Sequence, residues 1–552
     1  MKYQLLSVLS ALFILLYLTQ TPTPKGDYNS PWRPQIHFSP RKNFMNDPNG
    51  LFIGDDGIWH MYYQYGDNPT GITPQNKHWG HASSKDLYHW NNHPIAISRS
   101  KNGGEIYSGS AVIDVDNTSG FFPYQTNGVV AIYTLHTEQE ESQEIAYSID
   151  GGYTFTKYEH NPVISVGLRG FRDPKVIWHT ETRKWAMVVA HADERFIAIY
   201  TSSNLRNWTH VSSFDHPDLV DTHECPNLIT IPMAGAPEPL YLLIISMSNG
   251  HPLGGSQMRY FPGHFNGTHF TPVDDYARRI VDYGLDMYAG QFFYGTPGGT
   301  KPVSIAWASN LRYAGDAPTG PVEGWRSSMT IPTVRYLANI SNRGYDLVTT
   351  PYNLETMYDK VLARTDTSGS TGLPIDCVAI ESGTVFLDVN ITSKNQTTAA
   401  ISNGTADFTF TASKTGEFIS GGFIFGETVS FWVDRSNIKG YPAASDKVSI
   451  DNLSGNRTWR IRAVMDRSIL EVFLNEGEST ATTIFYPKGR LDRLSFETKG
   501  LGPEIGVSAV VWGLKSAWVG RRGGWRWKWK EESGYGYSIP GASNSILSQI
   551  WL

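Results

Sequence analysis

With 552 residues, the chain exceeds what one ordinary hydrophobic core organises and calls for two domains. Its 46 basic and 52 acidic side chains leave a formal charge of −6, so there is no basic excess to hold a polyanion and nucleic acid is excluded as a partner. Aromatic residues reach 13%, a level that suits β-rich folding and also stacking on the apolar faces of sugars.

The chain opens on Met1-Lys-Tyr-Gln4, an apolar run from Leu5 to Leu18, and a polar, proline-bearing Thr19-Gln-Thr-Pro-Thr-Pro24. The run is too short for a comfortable bilayer span, so residues 1–22 read as a signal peptide. The expected destination is extracellular or the cell wall, with no stable membrane partner. Nine Asn-x-Ser/Thr sequons agree with N-glycosylation during export: Asn117, Asn207, Asn266, Asn339, Asn390, Asn395, Asn403, Asn452 and Asn456. With only two cysteines, Cys225 and Cys377, the fold must rest on its core and not on a disulfide framework. Cys225 is expected as a free, buried thiol, with a bridge to Cys377 left open.

From residue 32 to about 345, short extended runs such as Trp59-His-Met-Tyr-Tyr-Gln-Tyr65, Val129-Val-Ala-Ile-Tyr133 and Phe196-Ile-Ala-Ile-Tyr200 alternate with Gly, Asn and Asp clusters. That is the pattern of many short antiparallel strands. A loose repeat also recurs, in Ser84-Lys-Asp-Leu-Tyr-His-Trp90, Ser148-Ile-Asp-Gly-Gly-Tyr-Thr-Phe155 and Ser203-Asn-Leu-Arg-Asn-Trp208. Counted between the closing aromatics, its spacings of 65 and 53 residues suit one four-stranded blade plus loops, and hence a β-propeller. Residues 346–372 change to a mildly helical and then Thr- and Ser-rich connector. Alternating stretches return over 373–518, including Phe408-Thr-Phe-Thr411 and Ile469-Leu-Glu-Val-Phe473, and fit a β-sandwich. Residues 519–552, with Trp525-Arg-Trp-Lys-Trp-Lys530, read as a disordered tail.

Three acidic residues sit in turn-prone, aromatic-flanked segments: Asp47 in Asn43-Phe-Met-Asn-Asp-Pro-Asn-Gly50, Asp173 in Phe171-Arg-Asp-Pro174, and Glu224 in His223-Glu-Cys-Pro226. Each alone reads more readily as a turn, because Pro presets φ and Asn or Gly tolerates φ > 0. Together they read as the carboxylates of a sugar-cleaving site, where one carboxylate attacks the anomeric carbon and one protonated carboxyl donates to the leaving oxygen. Asp47 and Glu224 are the candidates for those roles. On a propeller, residues separated by 126 and 51 positions converge at one mouth of the central channel. The proline after an acidic residue is expected to hold it in extended backbone. His60, His78, His81 and His89 lack compact ligand spacing, so neither a metal nor another cofactor is expected.

The segment Phe44-Met-Asn-Asp-Pro-Asn-Gly50, with Trp79-Gly-His-Ala-Ser-Ser84, Tyr107-Ser-Gly-Ser110, Phe171-Arg-Asp-Pro174, Glu224-Cys-Pro226, Trp307-Ala-Ser-Asn310 and Trp325-Arg326, resembles glycoside hydrolase family 32 over roughly residues 32–518. The closest likeness is to its secreted fungal and yeast β-fructofuranosidases. The resemblance implies an all-β fold, a five-bladed β-propeller followed by a C-terminal β-sandwich. It puts the nucleophile on Asp47, the acid/base on Glu224, and the transition-state stabiliser on Asp173 beside Arg172. Asn46, Gln64, Tyr107, Ser108 and Trp307 fall on positions lining the family's fructose pocket, and Trp79 and Asp286 fall in further motifs near it. Many relatives have Trp where Phe44 stands, and His264 in Gly263-His-Phe-Asn-Gly267 is also a departure; neither touches the three carboxylates.

The implied activity is retaining hydrolysis of terminal β-D-fructofuranosides, chiefly sucrose, with sucrose or fructan as the partner. An exo-fructanase, a fructosyltransferase making fructo-oligosaccharides, and a fructan-binding protein without catalysis are the alternatives. The intact Asn46-Asp-Pro-Asn-Gly50 leans toward hydrolysis, and assembly into a homodimer stays open.

Overall fold

A computed structural model of the protein describes residues 28–518 except 71–75, 100–102, 297–299, 341–343, 395–402, 441–446 and 454–456. The signal peptide expected over 1–22 and the tail expected over 519–552 lie outside the described residues. Five antiparallel sheets come first, each beginning with a nearly all-buried strand: Asn43–Ile53, Glu105–Ile113, Phe171–His179, His223–Ile231 and Tyr288–Phe292. Each of these strands contacts the next, and the fifth returns to the first, so the sheets are the blades of a closed five-bladed propeller. Closure is stitched by one segment. Trp325–Arg326 pairs in parallel with Asn43 and Phe44 of blade one, while Ser328–Met329 pairs with Val303–Ala308 of blade five.

The repeat read in the sequence is a hydrogen-bonded turn. The Ser84 hydroxyl donates to Asp86 and accepts the Leu87 N–H, and the Asp86 carboxylate accepts the Tyr88 and His89 N–H groups. Ser148 with Asp150 and Ser202 with Asn204 repeat it, so the third serine is Ser202 and not the Ser203 expected from sequence. Trp90 and Trp208 close two of these turns by donating to the Leu87 and Leu205 carbonyls. A residue in the left-handed region is needed there, which Leu87 and Leu205 supply at φ of 68° and 60°.

Every inner strand carries a break in register against its neighbour at the same place: between Met45 and Pro48, Ile106 and Gly109, Arg172 and Lys175, Glu224 and Asn227, and Tyr288 and Gln291. Such bulges re-aim side chains off the ladder. Asp173, Cys225 and Ala289 sit in them with φ of 65°, 45° and 50°. Asp173 thus departs from the extended backbone expected before Pro174, because the bulge geometry overrides the local preference.

The residues assigned to a connector, 346–372, are mostly strand. Asp346–Pro351 pairs with Thr333–Ala338 as the outer strand of blade five, a 3-10 turn spans Leu354–Met357, and Tyr358–Ser368 opens the second domain. Their Thr and Ser content looked loop-like because these are edge strands facing solvent on one side. Two six-stranded antiparallel sheets then stack as a sandwich. Strict alternation along Ile505–Leu514 and Val429–Asp434 turns every second residue into a core of Phe408, Phe410, Phe423, Phe431, Val472 and Phe496.

Cys377 belongs to that core and Cys225 to the propeller; both are buried and free. The two domains share a seam into which residues 28–41 are laid. Gln35 and Ile36 donate backbone N–H groups to Asp466, and His37 lies between Asp466 and Glu471 at 2.7 and 3.1 Å.

Candidate active site

The bulges bring the candidate carboxylates to one end of the propeller axis. Asp47 comes from blade one, Asp173 from blade three and Glu224 from blade four, and the Cys225 thiol touches both aspartates, 3.6 Å from Asp47 Oδ2 and 3.5 Å from Asp173 Oδ2. Ser108 of blade two donates to Asp47 Oδ2 at 2.6 Å and the Asn46 amide donates to Oδ1 at 3.0 Å. Asp173 accepts the Cys225 N–H at 3.0 Å, and its own N–H donates to Thr134. Glu224 receives Arg172 through Nη2 and Nε at 2.9 and 3.2 Å on one oxygen, and the Tyr288 hydroxyl at 2.6 Å on the other. All five blades therefore contribute to a ring of side chains: Ser108, Asp47, Cys225 and Asp173 are joined by one set of hydrogen bonds, and Tyr288, Glu224 and Arg172 by another.

Around that ring lie buried polar atoms with no protein partner: Asn46 Oδ1, both amide atoms of Gln64, and the Trp307 indole N–H. A buried donor or acceptor left unpaired is costly, so a cluster of them beside three carboxylates marks a cradle for a ligand rich in hydroxyls. Gln64 lies opposite the blade-one bulge, between the partners of Met45 and Pro48. Phe44 packs against the Trp307 ring edge, 6.5 Å between centroids, and backs the same corner. Tyr107 stands half-buried at the rim, stacked on His136 at 4.4 Å with Lys77 over its other face at 3.8 Å.

Two of the expected site residues do something else. Trp79 is wholly buried beneath this layer, stacked on Tyr62, and reaches the site only by donating its indole N–H to the Tyr107 carbonyl. Asp286 is also fully buried, and its partners are Arg435, the Tyr313 hydroxyl and the Ile484 N–H, so it ties the propeller to the sandwich and does not face the pocket. Proximity in sequence to Tyr288 made it look like a pocket residue; Asp286 lies in irregular backbone before the strand that begins at Tyr288, and its side chain turns to Arg435 of the sandwich.

Residues 37–351 match the family model described as "Glycosyl hydrolases family 32 N-terminal domain", and residues 353–513 match "Glycosyl hydrolases family 32 C terminal". The chain belongs to glycoside hydrolase family 32. Among relatives of this family 32 hydrolase, an extracellular exo-inulinase of Meyerozyma guilliermondii is 39% identical, covering 83% of this chain and 90% of that one. Invertase 2 of Saccharomyces cerevisiae is 36% identical over 82% and 89% of the two chains. The solved fructofuranosidase of Schwanniomyces occidentalis, complexed with fructose, superposes with a TM-score of 0.80 at 32% identity, covering 89% of this chain and 99% of that chain.

Electrostatics in the family 32 site follow from burial and charge crowding. Burial pushes the Asp47 carboxyl above its usual range, helped by the Glu224 charge and opposed by the Ser108 and Asn46 hydrogen bonds. Asp173 is likewise raised, by burial first, against the pull of Arg172 and with the push of Glu224 and Asp47. Burial and the surrounding carboxylates raise the Cys225 thiol well above its usual value, which keeps it a neutral donor between the two aspartates. Sequence reasoning passed over Tyr288, His136 and Glu141. Tyr288 was legible as the aromatic of Asp286-Met-Tyr-Ala289, but Glu141 belongs to an acidic run, Glu138-Gln-Glu-Glu141, that reads as a solvated face. Among the described residues, no group of three His, Cys, Asp or Glu could hold a metal ion.

Proposed function

We propose that the protein is a secreted, retaining β-fructofuranosidase that hydrolyses terminal β-D-fructofuranosides, chiefly sucrose, through a covalent fructosyl-enzyme. The observation that carries this is the meeting of Asp47, Asp173 and Glu224 from three blades beside unpaired polar atoms of Asn46, Gln64 and Trp307. In the first step an Asp47 oxygen bonds to C2 of the fructosyl unit as the C2–O bond to glucose breaks. The electron pair goes to the glucosyl oxygen, which takes the proton of Glu224. Water then attacks C2, gives its proton to Glu224, and releases Asp47. Asn46 and Ser108 aim Asp47 and favour its ionised form, while Asp173, beside Arg172, accepts from fructose hydroxyls and steadies the positive charge that develops on the ring.

Activity on longer fructans is the second reading, favoured by the similar likeness to an exo-inulinase. Export and N-glycosylation fit the extracellular relative and the exposed sequon asparagines Asn207, Asn266, Asn339, Asn403 and Asn452. Among the described residues, no helix is long and apolar enough to cross a membrane.

Free glucose and free fructose released from low and high sucrose test the reading. Equal amounts at both concentrations are expected from hydrolysis, with Asp47→Ala and Glu224→Ala each lowering turnover by about three orders of magnitude or more. Glucose in excess at high sucrose would make the protein a transferase; release from inulin but not sucrose would make it a fructanase. Near wild-type turnover in either variant would overturn the assignment of the site.

A further inference from the structure

Beyond the groups that reach the substrate, one buried carboxylate is wired to them. Arg172 has two carboxylate partners, not one. Its Nε and Nη2 edge faces Glu224, and its Nη1 lies 3.1 Å from Glu141 Oε2. Glu141, only 3% exposed, begins the third strand of blade two. It is held at both oxygens: His136 Nδ1 lies 2.9 Å from Oε1, and the Gly170 N–H donates to Oε2 at 2.9 Å. His136 in turn is clamped flat against Tyr107, 4° from parallel. A carboxylate so placed is expensive to bury and touches neither of the aspartates nor the cradle of unpaired atoms, so its work is done through Arg172.

We propose that Glu141 is a positioning residue for the acid/base: it fixes the edge that Arg172 turns to Glu224 and takes up part of the guanidinium charge, so that the proton Glu224 must donate is not driven off. This rests on the reading of Glu224 as the acid/base. The groups facing Glu224 are Arg172 and Tyr288 directly and Asp47, Asp173 and Cys225 across the ring; those facing Glu141 are His136 and Arg172. Burial alone would raise the Glu141 carboxyl, but the His136 hydrogen bond and Arg172 hold it down at about 2, so its charge is constant over any working pH. Removing that charge leaves the whole of the Arg172 cation to Glu224, favouring the form that cannot donate.

Glu141→Gln keeps the shape and removes the charge. Its kcat/KM is measured against pH with sucrose, whose leaving oxygen needs a proton, and with β-D-fructofuranosyl fluoride, whose fluoride leaves as the anion and needs none. The expected result is a fall of about tenfold or more with sucrose, with the alkaline limb of the profile moved down by about one pH unit, and little change with the fluoride. An equal loss on both substrates would make Glu141 a structural residue, and a wild-type profile on both would remove it from the mechanism; either overturns the proposal. Glu224→Gln, run alongside, separates the two readings: if it keeps sucrose activity, the acid/base assignment falls whatever Glu141 does. Should Glu141→Gln fail to fold, His136→Gln, which loosens the same carboxylate from a half-buried position, takes its place and is expected to shift the sucrose profile in the same direction.

Discussion

As the proposed nucleophile Asp47 must be ionised, yet it is buried and faces the Glu224 charge, both of which favour the protonated form. Ser108 is the strongest counterweight, with its hydroxyl 2.6 Å from Oδ2. Taking it away raises the Asp47 carboxyl further, so more of the enzyme is protonated and inactive as pH falls. Ser108→Ala should therefore move the acid limb of kcat/KM to higher pH and lower the plateau by roughly tenfold, the worth of one hydrogen bond to a charged group. A pH profile of released glucose checks this, and an unmoved acid limb would show that Ser108 does not set the state of Asp47. At this scale the sequence was most readable where chemistry and backbone share a short motif. Asp47, Asp173 and Glu224 each lie within two residues of a proline that marks the bulge. Glu141 and His136 have no such mark, since what makes them matter is Glu141's contact with Arg172, 31 positions away in the chain, and His136's hold on Glu141.

At the scale of single elements, the recurring device is the inner strand with its slipped register. The bulge in blade two presents Ser108, and Gly109 follows it where a Cβ would press into the backbone of Ile132 and Tyr133. Gly109→Ala must push the inner strand off its neighbour, at a cost of about 1–3 kcal/mol, and shift Ser108 away from Asp47. Thermal unfolding and turnover should fall together; an unchanged melting temperature would mean the strand pair can spread without penalty. Alternation and turn residues made the strands legible, but not the slips, which need the partner strand to be seen. For the same reason the edge strands at 346–351 and 358–368, polar on the solvent side, passed for a connector, and Asp286 passed for a pocket residue when it answers Arg435 of the sandwich.

For the molecule as a whole, the seam between the domains is held by charge as well as by packing. His37 is fully buried between Asp466 and Glu471, and although burial opposes its charging, those two carboxylates raise it to about 9. A histidine ordinarily near 6.5 that is raised on folding contributes stability fully present below 6.5 and lost as pH climbs through about 9. The melting temperatures of the wild type and His37→Gln should accordingly differ most near pH 6 and draw together toward pH 10. A gap that stays constant across that range would mean the ring is held neutral. Composition and spacing foretold a propeller followed by a sandwich, but nothing local in residues 28–41 announced that they would be locked to partners more than 400 positions away.

That seam also fixes an order of manufacture. The first strand of the propeller is synthesised early, but the segment that closes the ring over it is Trp325–Met329, and the carboxylates that lock the preceding stretch are Asp466 and Glu471. A growing chain can complete blades two, three and four as local meanders while blade one still waits for its neighbour across the gap. Asp47 is among the first functional groups to be made and among the last to be set in place. The nascent protein must therefore keep an open sheet edge at blade one until Trp325–Met329 has emerged, and residues 35–37 stay unlocked until Asp466 and Glu471 follow, so a product ending before Glu471 lacks the lock on the stretch that leads into blade one.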